Sequence, residues 1–281
     1  PIVLSVDQNI QFIIRETLKQ SIDIFDASGA SSILLDAQTG KVISMISLPD
    51  YDPNNRRELT NKSNLFNKNT KGLYELGSIF KTFVIANALE KNIATRDKIY
   101  KNLPREVVCG KFPIKEYRYS ADKKNLTVND ILVESSNIGT IRIIQETGLS
   151  SYRSFLDNLE IFNHSNIELP EVSSSTKKRW GKCNTLTAGY GHGINTTPIQ
   201  LTRAFASIIN GGNLLDVSLL KYKSVKFKSK IISENNSKIM RRILRTNVDK
   251  NYVRGGSGRK ADIKGYNCLL YTSDAADEEA W

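Results

Sequence analysis

The 281-residue sequence contains few of the side chains that build metal centres or disulfide frameworks. It has two histidines and three cysteines, and Cys109, Cys183 and Cys268 follow no metal-ligand spacing. An odd and sparse set of cysteines fixes no disulfide pairing. The cysteine spacing therefore indicates no metal site.

The sequence also lacks an initiator methionine, a signal peptide and an apolar run long enough to span a bilayer. Either the protein is soluble or the sequence is an internal piece of a longer chain, and we favour the second interpretation. Its length suffices for one large domain or two small ones.

Acidic residues are in the minority, with 29 acids against 40 bases and a formal net charge of +11. Such a charge can indicate nucleic-acid binding. Here the lysines are spread among many asparagines and isoleucines, as an AT-rich genome would produce, and no aromatic residues interleave with them in a basic stripe. We predict no nucleic-acid partner.

The sequence does contain a serine and a lysine one helical turn apart, Ser78 and Lys81, directly after Gly77. Residues i and i+3 share a helix face, so the amine can act as the base for a weakly nucleophilic hydroxyl. The helix N-terminus adds partial positive charge that favours an oxyanion. The same spacing occurs at five other places. What distinguishes Ser78 is the apolar helical stripe after it, which predicts a buried pair whose lysine loses its proton easily.

A second cluster of small polar residues, Ser135-Ser136-Asn137, interrupts two predicted helices. Thr127 caps the first helix, with Asp130 at the capping-box position, and the second helix runs from Ile138 to Gly148. Such a corner can push hydroxyl and amide groups into a cleft. Taken alone, ordinary helix capping by serine and asparagine explains the cluster better.

Periodicity and turn residues predict the remaining elements. Residues 31–35 and 42–47 are predicted to form a hairpin with a glycine-containing loop, and residues 95–125 to be irregular. Further helices are predicted after Asp7, from Ser78, over 152–159, from Pro198 and over 237–244.

Together the ordered motifs resemble the transpeptidase domain of class B penicillin-binding proteins. The resemblance covers nearly the whole chain, and residues 255–266 are most similar to the division-specific, septal members. It is carried by residues 36–42, 51–54, Gly77-Ser78, Ser135-Ser136-Asn137 and 191–201.

The resemblance implies an α/β (α+β) fold, that of the penicillin-binding transpeptidases and serine β-lactamases. A central antiparallel sheet would be flanked by helices, and an all-helical subdomain would carry Ser135-Ser136-Asn137.

The resemblance also implies a serine-type peptidoglycan D,D-transpeptidase that needs no cofactor. Ser78 would be acylated by a stem peptide ending in D-Ala-D-Ala, with Lys81 as the base, Ser135 as a proton relay and Asn137 bonded to the substrate amide. Further substrate contacts would come from Ser136, Gly191 and Gly193.

The implied partners are peptidoglycan stem peptides, β-lactams that acylate Ser78, and divisome membrane proteins such as a septal glycosyltransferase. The implied location is the periplasmic face of the bacterial inner membrane.

One departure from the family pattern is the missing third motif, Lys-Thr/Ser-Gly, expected a few residues after Gly265-Tyr266. Residues 268–281 resemble instead the translation of a sequencing adapter. We expect a transpeptidase domain over residues 1–267 that lacks its final strands, a non-native tail over 268–281, and no activity in this piece.

Three alternatives remain open: a D,D-carboxypeptidase or a β-lactamase on the same scaffold, and a non-catalytic penicillin-binding sensor. The long stretch after Asn137 without a third motif argues against a compact β-lactamase.

Overall fold

A computed structural model describes residues 1–55, 64–116, 120, 124–170, 172–174, 180–249 and 251. The predicted tail, 268–281, and the septal-type segment, 255–266, lie outside these residues. The described part is a mixture of helices and antiparallel strands, so the predicted α/β class is confirmed. None of the helices within these ranges has the length and apolarity of a membrane span.

The chain divides into two compact units. The first unit comprises Pro1–Tyr74, Leu159–Lys177 and Asn195–Lys230, and the second Glu75–Asn158, Lys178–Ile194 and the residues from Ile231 onward. Each unit is therefore assembled from segments that are distant in sequence.

The first unit is built on a hairpin with helices beside it. Its elements are α1 (Gln8–Phe25), β1 (Ala30–Leu35), β2 (Val42–Leu48), α7 (Pro198–Ile209), β7 (Asn213–Leu215) and β8 (Phe227–Lys230). Both α1 and the hairpin appear where the sequence predicts them, with Asp7 capping α1. Strand β2 alternates buried and half-buried residues, as expected for a strand with one face on a core. That core holds Val42, Ile167, Ile199 and Val217.

The second unit is mostly helical. Its helices are α2 (Lys81–Glu90), α3 (Val128–Val133), α4 (Asn137–Thr147), α5 (Leu149–Asn158), α6 (Lys182–Ala188) and α8 (Glu234–Val248). Helix α2 is central, because all its residues from Lys81 to Leu89 are buried. The predicted capping box between Thr127 and Asp130 is present at α3.

The second unit is not helical throughout. It also contains the strand pairs β3 (Ile99–Tyr100) with β6 (Leu126–Thr127), and β4 (Glu106–Cys109) with β5 (Phe112–Lys115). The region predicted to be irregular thus holds a hairpin. Prolines in this region favour breaks in regular secondary structure. Pro113 nevertheless lies in a two-stranded sheet, where both strands are edge strands and a missing backbone N–H is tolerated.

Candidate active site

Ser78 lies in a 3-10 turn, Gly77–Phe80, that leads directly into α2. The sequence predicts an α-helix from Ser78, whereas the structure begins with this tighter turn. Gly77 has a left-handed backbone with φ of 54°, which glycine adopts without a Cβ clash. Phe80 is fully buried and meets Phe83 edge-on at 5.6 Å between ring centroids. The core therefore anchors the turn while Ser78 remains half-buried.

Lys81 is the first residue of α2 and is 1% exposed. Its Nζ donates to the Ser135 carbonyl oxygen at 2.5 Å and to Ser135 Oγ at 2.8 Å. A buried amine needs such partners because its charged form loses water. The structure thus brings the predicted serine–lysine pair together with the second motif.

Ser135 connects the lysine to the candidate nucleophile. Its Oγ donates to Ser78 Oγ at 3.0 Å while accepting from Lys81 Nζ. Ser135 lies between α3 and α4 with φ of 52°, an uncommon conformation for a residue with a side chain. This conformation accompanies the contacts that its carbonyl and hydroxyl both make with Lys81.

The other two motif residues begin α4. Ser136 is the N-cap, is fully buried, and accepts at Oγ from the Gly139 N–H at 2.8 Å. Asn137 is half-buried, and its Nδ2 donates to the Lys115 carbonyl at 3.4 Å. The Ser136 side chain was predicted to contact substrate, but burial and capping occupy it. Ser136 therefore acts as a helix cap, as the capping interpretation predicts. Asn137 is half-buried at the edge of the site, where its side chain can still reach a substrate.

Glu116 fixes this corner and was missed by the sequence analysis. Its carboxylate accepts from Ser136 Oγ at 2.5 Å, from the Asn137 N–H at 3.0 Å and from the Ile138 N–H at 3.2 Å. A buried carboxylate at a helix N-terminus pairs with unsatisfied N–H groups and with the helix dipole. Its partners lie 20 to 22 residues away in sequence, so no local pattern identifies it.

The predicted glycines contact the residues directly before Ser78. Gly191 approaches Gly77 so closely that an added Cβ would be 2.1 Å from the Gly77 carbonyl oxygen. The Gly193 N–H donates to Glu75 Oε2 at 3.1 Å, and His192 Nδ1 lies 3.4 Å from the same oxygen. Glu75, another residue that the sequence analysis missed, thus joins the segment before the nucleophile to this loop.

The aromatic residue of the loop remains a neutral phenol. Burial raises the pKa of Tyr190 to about 12, and its ring stacks on His192 with 6.4 Å between centroids. The His192 side chain is 70% exposed.

The arrangement can transfer a proton along Ser78, Ser135 and Lys81. Hydroxyl hydrogens rotate, so the same contacts permit transfer in either direction. A serine activated in this way is a nucleophile for acyl transfer. Within the described ranges, no group of three or more histidine, cysteine or carboxylate side chains could hold a metal ion.

Comparisons with known proteins assign this chain to a family. The family model described as the penicillin binding protein transpeptidase domain matches residues 30–268. Its curated relatives include the probable peptidoglycan D,D-transpeptidase FtsI of Caulobacter vibrioides, 30% identical over 94% of this chain and 44% of that protein. The peptidoglycan D,D-transpeptidase FtsI of Escherichia coli is 27% identical over 98% of this chain and 45% of that protein.

A solved structure shows the same fold. Penicillin-binding protein 3 of Mycobacterium tuberculosis, complexed with aztreonam, has a TM-score of 0.83 at 22% identity, covering 93% of this chain and 61% of that one. The chain spans a little under half the length of the curated relatives described above.

Proposed function

Because the chain belongs to the penicillin-binding protein transpeptidase family, we propose that it is the catalytic domain of a peptidoglycan D,D-transpeptidase that acts through an acyl-enzyme on Ser78. The observation that carries the proposal is the continuous contact from Lys81 Nζ through Ser135 Oγ to Ser78 Oγ. It joins a nucleophile to a base inside a buried setting, which serine acyl transfer requires.

In the first half-reaction, Ser78 Oγ bonds to the carbonyl carbon of the penultimate D-alanine. The serine proton passes through Ser135 to a neutral Lys81 amine. The C–N bond to the terminal D-alanine then breaks, and Ser135 relays a proton to the leaving nitrogen. The carbonyl oxygen, negatively charged in the tetrahedral intermediate, accepts from the Ser78 backbone N–H.

In the second half-reaction, an amine from a neighbouring stem peptide attacks the ester carbonyl. It gives up its proton to the same relay, and the bond to Ser78 Oγ breaks to regenerate the hydroxyl. Asn137 hydrogen-bonds the substrate amide in this scheme. Gly191 and Gly193 line the same turn and contact the substrate backbone.

The substrates proposed for the whole protein are stem peptides ending in D-Ala-D-Ala, and β-lactams are its suicide substrates. We place the protein at the division septum, beside a septal glycosyltransferase and other divisome membrane proteins. Its location would be the periplasmic face of the inner membrane. The curated relatives are named peptidoglycan D,D-transpeptidases, which supports the proposed substrate class.

We further propose that the native sequence departs from residues 268–281 and supplies a Lys-Thr/Ser-Gly motif after Asn267. Amplifying the gene from native DNA across the Asn267 codon tests this. A Lys-Thr-Gly or Lys-Ser-Gly within a few codons supports it. A native gene that continues as Cys268-Leu269-Leu270 would contradict it and favour a catalytically inactive sensor.

Covalent labelling of the full-length native protein with fluorescent penicillin tests the role of Ser78. We expect Ser78→Ala to abolish labelling, because the acylated oxygen is gone. Ser174→Ala is the control, since Ser174 also has a lysine three residues later and lies in a loop. Persistent covalent labelling of Ser78→Ala would refute the proposal.

Product analysis distinguishes the alternatives. Cross-linked dimers of stem peptides identify a transpeptidase, whereas release of D-alanine without cross-links identifies a carboxypeptidase. Rapid hydrolysis of the labelled penicillin identifies a β-lactamase.

A further inference from the structure

A disulfide joins two segments that the sequence analysis left unpaired. Cys109, the last residue of β4, is bonded to Cys183 in the first turn of α6, with 5.6 Å between their Cα atoms. The two cysteines are 74 residues apart in sequence. Both segments belong to the unit that carries Ser78.

The β4–β5 hairpin has little apolar packing of its own. Only Cys109 and Ile114 among its eight strand residues are buried, and Phe112 is 77% exposed. An isolated two-stranded hairpin is at best marginally stable in water. The disulfide therefore supplies a tether at the turn end of the hairpin.

The other end of the hairpin contacts the Ser135-Ser136-Asn137 corner. Strand β5 ends at Lys115, whose carbonyl accepts from Asn137 Nδ2. The next residue is Glu116, which holds the start of α4 through Ser136 and two N–H groups. A displacement of β5 is thus transmitted to the residues that position Ser135.

Helix α6 leads to the glycine loop that contacts the Ser78 turn. After α6, Gly189 packs against α4, where an added Cβ would be 2.3 Å from Ile144 Cδ1. Gly191 then contacts Gly77. Cys183 is therefore connected, through α6 and the glycine loop, to the turn that carries the nucleophile.

We propose that Cys109 and Cys183 are positioning residues for the acyl-transfer reaction, because their disulfide joins the hairpin that leads to Glu116 to the helix that leads to Gly191. This inference rests on the proposed function for its catalytic consequence, but its structural part is independent of activity. The site then has its full acylation rate only when this bond is oxidised, as expected in the disulfide-permissive periplasm.

The redox step is thiol–disulfide exchange. An external dithiol such as dithiothreitol gives two electrons and two protons to the Cys109–Cys183 bond, leaves two protein thiols and becomes a cyclic disulfide. Oxidation is the reverse exchange with a disulfide donor. One thiolate of the reductant attacks one sulfur of the bond and displaces the other cysteine as a thiolate, so the reaction passes through a mixed disulfide.

The first experiment is thiol titration and amide hydrogen exchange on this 281-residue chain, with and without dithiothreitol. The untreated, denatured chain should titrate one thiol, from Cys268, and the reduced chain three. We expect reduction to speed exchange by about tenfold or more over 135–140 and 189–193, while β1 and β2 are unchanged. Equal exchange in both redox states, or three thiols without reductant, would overturn the inference.

Two variants serve as matched controls. Cys268→Ser retains the disulfide and should respond to dithiothreitol as the parent chain does. The double variant Cys109→Ser, Cys183→Ser should show rapid exchange in both conditions and no response to the reductant. A double variant that responds to dithiothreitol would contradict the assignment of the effect to this bond.

The second experiment measures acylation by labelled penicillin in the full-length native protein. We expect reduction to lower the first-order acylation rate by roughly ten- to a hundredfold, since small displacements of catalytic groups have effects of this size. Met240→Ala, a buried α8 variant that keeps both cysteines, controls for lost stability. An equal loss of acylation rate in that variant would overturn a positioning role.

The two hypotheses fail in different ways. Absence of acylation in the oxidised protein would count against the proposed function and leave the exchange result intact. Full acylation in both redox states would retain the proposed function and reject the positioning role.

Discussion

The two units of this chain differ in the side chains that their helices bury. In the unit that carries Ser78, α2 buries every residue from Lys81 to Leu89. In the other unit, α1 buries none of its 18 residues completely. There α7 buries Arg203, which is 4% exposed and contacts Glu160 and Asp216 at 2.9 and 3.3 Å.

This difference separates two sources of stability. The turn that carries Ser78 depends on apolar packing around Phe80 and Phe83, which responds little to pH. The other unit depends in part on ion pairs and hydrogen-bonded carboxylates, whose contribution changes when a group gains a proton. Substitution and acidification should therefore affect the two units differently.

The largest effect is expected from Phe83→Ala. Phe83 is fully buried in α2 and contacts the Phe80 ring, so its truncation leaves a cavity and should lower the free energy of unfolding by about 3–5 kcal/mol. Urea unfolding measures this loss. Phe112→Ala removes the same side chain at an exposed position and should change stability by less than about 0.5 kcal/mol. Equal losses in the two variants would disprove the packing argument for α2.

A smaller loss, about 2–3 kcal/mol, is expected from Arg203→Met. The variant keeps much of the side-chain volume but leaves the Glu160 and Asp216 carboxylates and the Leu215 carbonyl without this donor. Because both carboxylates retain some solvent contact, the loss should lie below that of a fully buried charge. Urea unfolding gives the value, and amide exchange in β7 locates it. The control is Arg241→Met, at an exposed position of α8, and a loss as large there would argue against a special role for Arg203.

The smallest effect is expected from acidification of the first unit. Burial alone would raise the pKa of Glu168, but hydrogen bonds from the Leu219 N–H, Lys223 and Ser218 outweigh it and lower the pKa to about 2. Because the folded pKa is depressed, this contribution is fully present above the ordinary value of 4.5 and is lost as pH falls towards 2.

We expect that loss to be about 1–2 kcal/mol, reduced by partial solvent exposure of the carboxylate. Unfolding measured at several pH values gives the slope, and Glu168→Gln should flatten it. An unchanged slope in the Gln variant would assign the pH dependence to other groups.

Local sequence signals predicted much of the fold. Asp7 before α1 and the Thr127–Asp130 box before α3 mark helix starts because their hydrogen bonds close within three residues. The pairing of β1 with β2 follows from alternation and a glycine-containing loop. Such signals depend on neighbours in the chain, so one sequence suffices to read them.

The parts that the sequence analysis missed depend on distant partners. Glu116 acquires its role from residues in α4, and Cys109 from a partner 74 residues away. Ser136 matched the family motif, yet its burial against Glu116 makes it a helix cap. Motif spacing located the corner correctly, but which of its side chains face the cleft is decided by tertiary packing.

The contact between Gly191 and Gly77 also limits which substitutions this loop can accept. No amino acid with a side chain fits at position 191, because its first carbon would overlap the Gly77 carbonyl oxygen at 2.1 Å. The neighbouring His192 is 70% exposed and has room for replacement. Substitutions in this loop are therefore expected at His192, whereas Gly191 stays fixed.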